Sequence, residues 1–495
     1  MKRSLGKKMS IVFIAMFAPF GVYAQSKEVP IELTLDKAIE IALSENPSVK
    51  VADMEIQKKK YAKSSAQSSL YPQIDAVGQY SRTLKKQVMY MDNAFNMEEM
   101  LTPITTPVIA GMEETLSSTF PGTYTPGSLI QSIDKNTPKT DSSGGDDGIA
   151  IGRDNNWTGG LNLNWPIIVP ALWKSLELSS VDVELAVESA RSSKINMVNS
   201  IRKSYYGVLF AKDALNVLQQ SYDNAILTYN DINNKYQQGI VAEFDLVRAD
   251  VNAKNIKPDL IQMQNAYNMA TLSLKALMGI DIDQEISIIG CLLDYEEDLY
   301  ADVLKADTSL ANNSDLRQFD LHNDQLQKSL ELYKAQYLPS ISVSGNYMYM
   351  SMNNDFRFGD YKWNPTSTVS LNISIPIFDG FKKHNDIKQT KASLEQMKWQ
   401  REDIVRNLNL AINNNVNNMT NYVEQVFSTK DVIKQAKKGY EISQKLYDTG
   451  MGTLLDLNNA QLGLTQASLA FNQAIYNFLV SKADLDKTLG IEINK

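Results

Sequence analysis

Histidine and cysteine, which serve many enzymes as bases, nucleophiles or metal ligands, are scarce in this sequence. The 495 residues include two histidines, His322 and His384, and one cysteine, Cys291. Neither histidine has a second ligand at metal-site spacing, and neither lies near a Ser or Cys nucleophile motif. A phosphate-binding GxxxxGK loop is also absent from the sequence. We therefore expect no enzyme activity, no catalytic residue, no bound metal and no cofactor.

Two acidic residues occur in similar settings in the two halves of the chain. The segments KYQQGIVAEFDL and LYDTGMGTLLDL place Gly239 before Asp245 and Gly450 before Asp456. A glycine free to take positive φ ends one helix, and the acid then lies in the first turn of the next, where the helix dipole favours it. The need for a residue with positive φ at the turn is enough to explain both glycines. For the acids, a charged ring formed by several chains is an equally good interpretation.

These helix reversals belong to an internal repeat that covers most of the chain. Three further pairs of segments match: YPQIDAVGQY with LPSISVSGNY, LNLNWPI with LNISIPI, and LMGI with TLGI. The first half carries an insertion, residues 81–156, whose Pro, Gly, Ser and Asp content predicts a long loop. Each half therefore reads as helix, strand, loop, strand, long helix, tight turn and second helix.

The long helices are predicted over residues 178–236 and 381–447, with lengths of about 88 and 100 Å at 1.5 Å per residue. Each has an apolar residue at every seventh position, a period typical of coiled coils. The first series is Ile201, Val208, Leu215, Tyr222, Tyr229 and Tyr236. The second series is Val405, Ile412, Met419, Val426, Ile433, Tyr440 and Tyr447. Extended coiled-coil seams are favoured over the core face of an ordinary bundle.

Four segments alternate apolar and polar residues, namely 74–80, 157–165, 341–349 and 369–377. A half-buried sheet of a soluble protein gives the same alternation. The segments are, however, about as long as a tilted membrane-spanning strand. The apolar faces carry aromatic residues that we predict to face lipid as a girdle: Tyr80, Trp157, Trp165 and Tyr347.

Four strands are too few to close a barrel, and open edges are not tolerated in hydrocarbon. The chain must then oligomerise if its strands cross a membrane. Two copies would give eight strands and a filled interior, whereas three copies would give twelve strands and room for a channel. The sequence thus predicts a mainly α protein with transmembrane β structure, in which four strands per chain contribute to a 12-stranded trimeric barrel.

The first 24 residues have the pattern of a signal peptide, with basic residues, a short apolar run and VYA before Gln25. Removal of their four positive charges changes the formal net charge from -8 to -12, which argues against a nucleic-acid partner. We place the first repeat at 25–280. A linker, an equatorial region and the second repeat follow at 281–495.

In their order and spacing, these segments resemble the TolC family of outer membrane efflux proteins. The shared motifs include SENPSV after a first short helix, YPQI and LPSI near the strands, NWPI and SIPI before the long helices, and the two glycine-containing turns. The resemblance implies a homotrimer, a β-barrel in the outer membrane and a helical barrel in the periplasm. The resemblance also implies two partners, a periplasmic adaptor protein that docks on the helix tips and an inner-membrane pump.

The resemblance further assigns roles to the two helix reversals. In the family, acidic residues narrow the periplasmic entrance at this end, so Asp245 and Asp456 are candidate entrance residues. Two positions depart from the family pattern, because the second acid is Asn459 here and the basic residue after the turn glycine is Gly452.

The helix tips are the candidate docking site for the adaptor protein. The positions assigned to it are Tyr236, Gly239, Tyr447 and Gly450.

The function predicted from these observations is a passive trimeric conduit that carries small toxic compounds from the periplasm to the exterior in a tripartite export system. An exit duct for type I protein secretion is the first alternative. An exported coiled-coil scaffold or adhesin is the alternative from a class other than transport proteins, but it does not explain the four apolar strand faces.

Overall fold

A computed structural model describes residues 31–89, 97–122, 124–125, 127–129, 131–132, 149–297, 299 and 309–492. The proposed signal peptide and the acidic segment DSSGGDDG lie outside the described residues. The helices are α1 (Leu35–Glu45), α2 (Pro47–Ser68), α3 (Met97–Thr119), α4 (Pro170–Gln237), α5 (Glu243–Met278), α6 (Ser314–Ala335), α7 (Lys382–Asp448) and α8 (Leu454–Leu489). The strands are β1 (Ile31–Leu33), β2 (Gln73–Arg82), β3 (Gln87–Met89), β4 (Ile149–Ile151), β5 (Asn155–Ile168), β6 (Ile286–Ile288), β7 (Ser340–Asn353) and β8 (Asn364–Ser374).

The chain forms two compact units, and each unit combines segments of both repeats. The helical unit contains the described residues of Met1–Ser65, Lys174–Lys334 and Phe381–Lys495. The sheet unit contains those of Ala66–Trp173 and Ala335–Gly380. The predicted boundaries of the two repeats, at residues 25–280 and 281–495, describe the sequence duplication and remain a prediction.

The two long helices are α4, with 68 residues, and α7, with 67 residues. Each is therefore about 100 Å long at 1.5 Å per residue. The prediction for α7 is close to the observed range, but α4 begins at Pro170 and not at residue 178. Proline is favoured at the first helical position because its fixed φ suits the helix and no N–H partner is needed there.

The seven-residue period of α7 marks its buried seam. Ile412, Met419 and Val426 are almost completely buried, and the other members of the series are half-buried. In α4 the predicted series is buried only at Ile201 and Val208. A second series, three positions further along, is more deeply buried from the middle of α4 onward: Ala211, Leu218, Ala225 and Ile232. The seam of α4 therefore has two rows of contact residues, as in a coiled coil with a and d positions.

The main sheet has the strand order β2, β5, β7, β8, and every neighbouring pair is antiparallel. The register aligns the four predicted apolar faces. Leu161 lies opposite both Ala76 and Tyr347, and Val343 lies opposite Leu371. The sheet therefore has one mainly apolar face and one mainly polar face, which we call the apolar face and the polar face.

Two predictions about the sheet unit are wrong in part. β8 ends at Ser374 and not at residue 377, because Pro376 has no N–H to donate to a neighbouring strand. The insertion 81–156 is not a simple loop, since its described residues include the 23-residue helix α3 and the antiparallel pair β3 and β4. Two prolines, Pro103 and Pro107, lie inside α3, so composition misled the prediction there.

The helical unit repeats one capping arrangement. Asn46 donates a hydrogen bond from Nδ2 to the carbonyl oxygen of Leu277 at 2.7 Å, and its Oδ1 accepts one from the N–H of Ser48. Asn313 donates in the same way to the carbonyl oxygen of Thr488 at 2.6 Å. Each asparagine thereby joins the start of a short helix to the end of a long hairpin. The internal repeat is thus present in side-chain contacts as well as in helix order.

None of the helices in the described part of the chain combines the length and apolar character needed to cross a membrane.

Candidate functional site: the helix tips and the sheet faces

Both helix reversals end in the same backbone motif. Gly239 has φ of 71° and Gly450 has φ of 76°, as predicted for residues that must adopt the left-handed conformation. The N–H of Ile240 donates to the carbonyl oxygen of Lys235, and the N–H of Met451 donates to that of Leu446. These are the hydrogen bonds of the Schellman motif, which satisfies carbonyl groups at a helix end. We call residues 236–243 the first tip and 447–454 the second tip.

The two candidate entrance acids begin their helices differently. Asp456 forms a capping box with Thr453, whose hydroxyl lies 2.6 Å from Asp456 Oδ2 and accepts the Asp456 N–H at 3.2 Å. Asp245 lies in the first turn of α5, where the N-cap residue Ala242 offers no side-chain hydrogen bond. Asp456 is exposed and Asp245 is half-buried. The carboxylate of Asp456 is therefore held by its own helix start, whereas that of Asp245 is not.

A small apolar cluster joins the two tips. Ile232 of α4, Ala249 of α5 and Leu454 of α8 are buried together, with Tyr447 of α7 packed against them. Helices α4, α5, α7 and α8 therefore all contribute to this cluster. Just beyond it, Asn252 Nδ2 donates to Asn458 Oδ1 at 3.2 Å and links α5 to α8.

Lys235, which directly precedes the first tip, contacts the predicted docking residue Tyr447. Its Nζ forms an ion pair with Asp231 at 2.7 Å and lies 5.1 Å from the centre of the Tyr447 ring. The hydrogen bond to Asp231 raises the pKa of Lys235. Burial raises the pKa of the Tyr447 phenol, whereas the charge of Lys235 lowers it and that of Asp245 raises it. Lys235 was missed in the sequence because a lysine near a helix end usually interacts only with the dipole.

The remaining predicted tip residues have distinct environments. Tyr236 is 39% exposed, and Asn459 is exposed on α8. At Gly452, a side-chain Cβ would lie 3.0 Å from Leu446 Cβ, a tighter approach than packed carbon atoms normally make. The N–H of Gly452 also donates to the carbonyl oxygen of Leu446 at 2.9 Å. The close turn explains why glycine suits this position in place of a basic residue.

The predicted lipid-facing aromatics lie on one face of the sheet. Tyr80 and Trp157 are directly opposite in the register, and their ring centres are 4.3 Å apart. Tyr347 packs edge-on against Tyr349, and their hydroxyl oxygens are 3.0 Å apart. Trp165 is 41% exposed, eight positions along β5 from Trp157. The apolar face therefore has aromatic residues toward both of its ends.

The two histidines lie on separate helices of the helical unit. The described residues contain no group of three or more His, Cys, Asp and Glu side chains that could hold a metal ion. His322 lies on α6, where its Nδ1 is 2.9 Å from Gln325 Oε1, and His384 lies in the first turn of α7.

Comparison with known proteins identifies relatives of this chain. The family model for outer membrane efflux proteins matches residues 133–280 and 306–491. Outer membrane protein TolC of Vibrio cholerae is 20% identical over 347 residues, covering 67% of this chain and 76% of the relative. The toxin and drug export protein A of Aggregatibacter actinomycetemcomitans is 20% identical over 337 residues, covering 65% of this chain and 70% of the relative.

The fold comparison covers nearly all of the chain. The crystal structure of the CmeC outer membrane channel of Campylobacter jejuni aligns with a TM-score of 0.66 at 18% identity, over 98% of this chain and 94% of that chain. The resemblance to the TolC family and the mainly α fold with a β-sheet are thereby confirmed, and the relatives are outer membrane proteins and channels rather than enzymes. This chain belongs to the outer membrane efflux protein family.

Proposed function

We propose that three copies of this chain form the outer membrane channel of a tripartite export system. In this assembly the sheets of three subunits close into a 12-stranded barrel, and the long helices form a tunnel in the periplasm. Small toxic compounds pass through the conduit to the exterior, and a periplasmic adaptor protein and an inner-membrane pump supply them.

The observation that supports this proposal most strongly is the four-stranded sheet with unlike faces and two free edges. β2 and β8 are the edge strands, with 10 and 11 residues. Apolar side chains on one face remain exposed in the single chain, including Val369 at 81% and Leu371 at 63%. A soluble protein rarely leaves such an apolar face exposed, whereas lipid would cover it.

The free edges explain why several copies are needed. An unpaired N–H or C=O group in hydrocarbon costs several kcal/mol, so a sheet with two open edges is not stable there. Pairing β8 of one copy with β2 of the next removes both edges when the ring closes. Twelve strands leave space for a channel, whereas an eight-stranded barrel is filled by side chains.

The helix tips are the proposed periplasmic entrance and adaptor contact. Asp245, Asp456 and Asn459 would line the entrance, and Tyr236, Gly239, Tyr447 and Gly450 would form the docking surface. The exposed side chain of Tyr236 supports this assignment, because an aromatic residue available at a turn is a common anchor in protein interfaces.

The class of substrate has two candidates. The name of one relative joins toxin and drug export, so a secreted polypeptide is an alternative to small compounds. Because the proposed pore is the same for both substrates, the pump would determine which substrate is exported.

Conductance in a planar bilayer tests the channel. The purified full chain, freed of its signal peptide, is added to one side of the bilayer after its trimeric mass has been measured in detergent. We expect discrete current steps that disappear after the trimer is dissociated by heat. A monomeric protein that stays soluble without detergent and leaves the bilayer silent would refute the channel and favour the scaffold.

A further inference from the structure

The polar face of the main sheet contains an unexpected row of methionines. The β7 segment MYMSM places Met348, Met350 and Met352 at alternate positions, so their side chains share this face. The other side chains of the polar face before the β5 bulge are Ser, Thr, Asn, Gln and Asp, with Val77 as the exception. Three consecutive thioethers on a face of this composition require an explanation other than burial in a core.

The register shows which residues surround the row. Met348 lies opposite Gly160, where a Cβ would clash with the carbonyl oxygen of Tyr347 and lie 2.7 Å from Met348 Cα and 2.9 Å from Met348 Sδ. The close approach of the two backbones therefore requires glycine here, and it brings the Met348 thioether near strand β5. Met350 lies opposite Thr158. Met352, opposite Asn156, is 44% exposed, so the row is open to solvent at this end.

The spacing allows neighbouring thioethers to share one ion. Alternate residues of a strand are about 6.8 Å apart, and a methionine side chain is long and flexible enough for two neighbouring sulfur atoms to meet between them. Met350 has a methionine on each side, whereas Met348 and Met352 are about 13.5 Å apart along the strand. A site built from this row would therefore be centred on Met350.

Thioethers select a particular kind of metal ion. They are soft, uncharged ligands that prefer Cu(I) among the biological metals, and Ag(I) has the same soft, monovalent character. They do not need to be deprotonated before they bind. We propose that Met348, Met350 and Met352 form a binding site for a soft monovalent cation, Cu(I) or Ag(I). The inference rests on the proposed function for its location, because in the closed barrel the polar face lines the conduit.

Titration with Ag(I) tests this site in the full mature chain in detergent. The parent protein carries Cys291→Ser, because a thiol would also bind Ag(I). The test variant combines Met348→Leu, Met350→Leu and Met352→Leu, changes that preserve apolar volume and remove the sulfur. The matched control combines leucine substitutions at three exposed methionines on other elements: Met54, Met112 and Met269.

We expect calorimetry to detect Ag(I) binding to the parent and to the control, and loss of that binding in the test variant. The single change Met350→Leu should weaken binding more than Met348→Leu or Met352→Leu. Absence of binding to the parent, unchanged binding in the test variant, or an equal loss in the control would each overturn the proposal.

Bilayer conductance of the same preparations keeps the two proposals separate. If the parent binds Ag(I) and the test variant forms a pore but does not bind Ag(I), both the channel and the site are supported. Ag(I) binding by a parent protein that forms no pore refutes the channel and leaves the methionine site in place.

Discussion

A charge placed at Leu161 should destabilise the membrane-inserted protein, whereas the same charge at Asn162 should not. Leu161 is midway between Trp157 and Trp165 on the apolar face, about 13 Å along the strand from each. In the proposed barrel, this position lies near the midplane of the bilayer. Asn162 is the next residue and therefore points to the polar face, opposite Asp75 and Asn346.

The size of the effect follows from the cost of a buried cation in lipid. Arginine on the lipid face at the midplane costs about 2–4 kcal/mol per chain, so Leu161→Arg should cost roughly 6–12 kcal/mol per trimer. Asn162→Arg should leave stability nearly unchanged, because its guanidinium would lie in a water-filled lumen. It should instead shift ion selectivity toward anions, since three positive charges are added to the pore.

Urea unfolding in lipid vesicles measures the two stabilities, and reversal potentials in a salt gradient measure the selectivity. Both variants are compared with the parent at the same protein and lipid concentrations. The assignment of faces would be refuted if Asn162→Arg were the more destabilising change, or if Leu161→Arg altered selectivity and left stability unchanged.

Three further results are expected. Gly450→Ala should lower the midpoint of thermal unfolding, because a left-handed residue other than glycine costs about 1–2 kcal/mol, while Gly463→Ala, inside helix α8 with open space around it, should raise the midpoint. Lys235→Ala should raise the pKa of Tyr447 further, since the lysine charge favours the phenolate; ultraviolet titration of tyrosine against a Tyr447→Phe reference measures the change. Burial raises the pKa of Asp213, so the folded state binds more protons than the unfolded state, and this carboxyl group makes stability fall as the pH rises through the range between its unfolded and folded pKa values. Asp213→Asn should therefore stabilise the protein at neutral pH and reduce this dependence, as followed by denaturant unfolding from acid to neutral pH.

Much of the fold could be predicted because two periodicities remain intact over long stretches. The seven-residue period of α7 identified residues such as Met419 that prove to be buried, even within an asparagine-rich segment. The two-residue period of the strands identified both faces of the sheet. These patterns are readable because one face of each element meets a different environment from the other.

The missed features depend on contacts between distant parts of the sequence. The second series of buried residues in α4 contains Ala211 and Ala225, whose small side chains contribute little to a hydrophobic pattern. The contact between Lys235 and Tyr447 joins the two repeats, and no local pattern predicts it. The capping box at Thr453 and Asp456, by contrast, has the sequence signature of a helix start and was available from spacing alone.

The central claim is that neighbouring copies close the sheet through β2 and β8. Disulfide cross-linking tests it most directly, because Cys291 is the only cysteine and can be replaced by serine. One cysteine is fixed at Ser370 of β8, and a second is moved residue by residue along β2 from Gln73 to Arg82. We expect covalent trimers in intact outer membranes when the second cysteine lies opposite Ser370, and also at the alternate residues of β2 next to that position, which share its face. If no position of β2 gave cross-linked chains in membranes where the protein is folded, the result would contradict the pairing of β2 with β8.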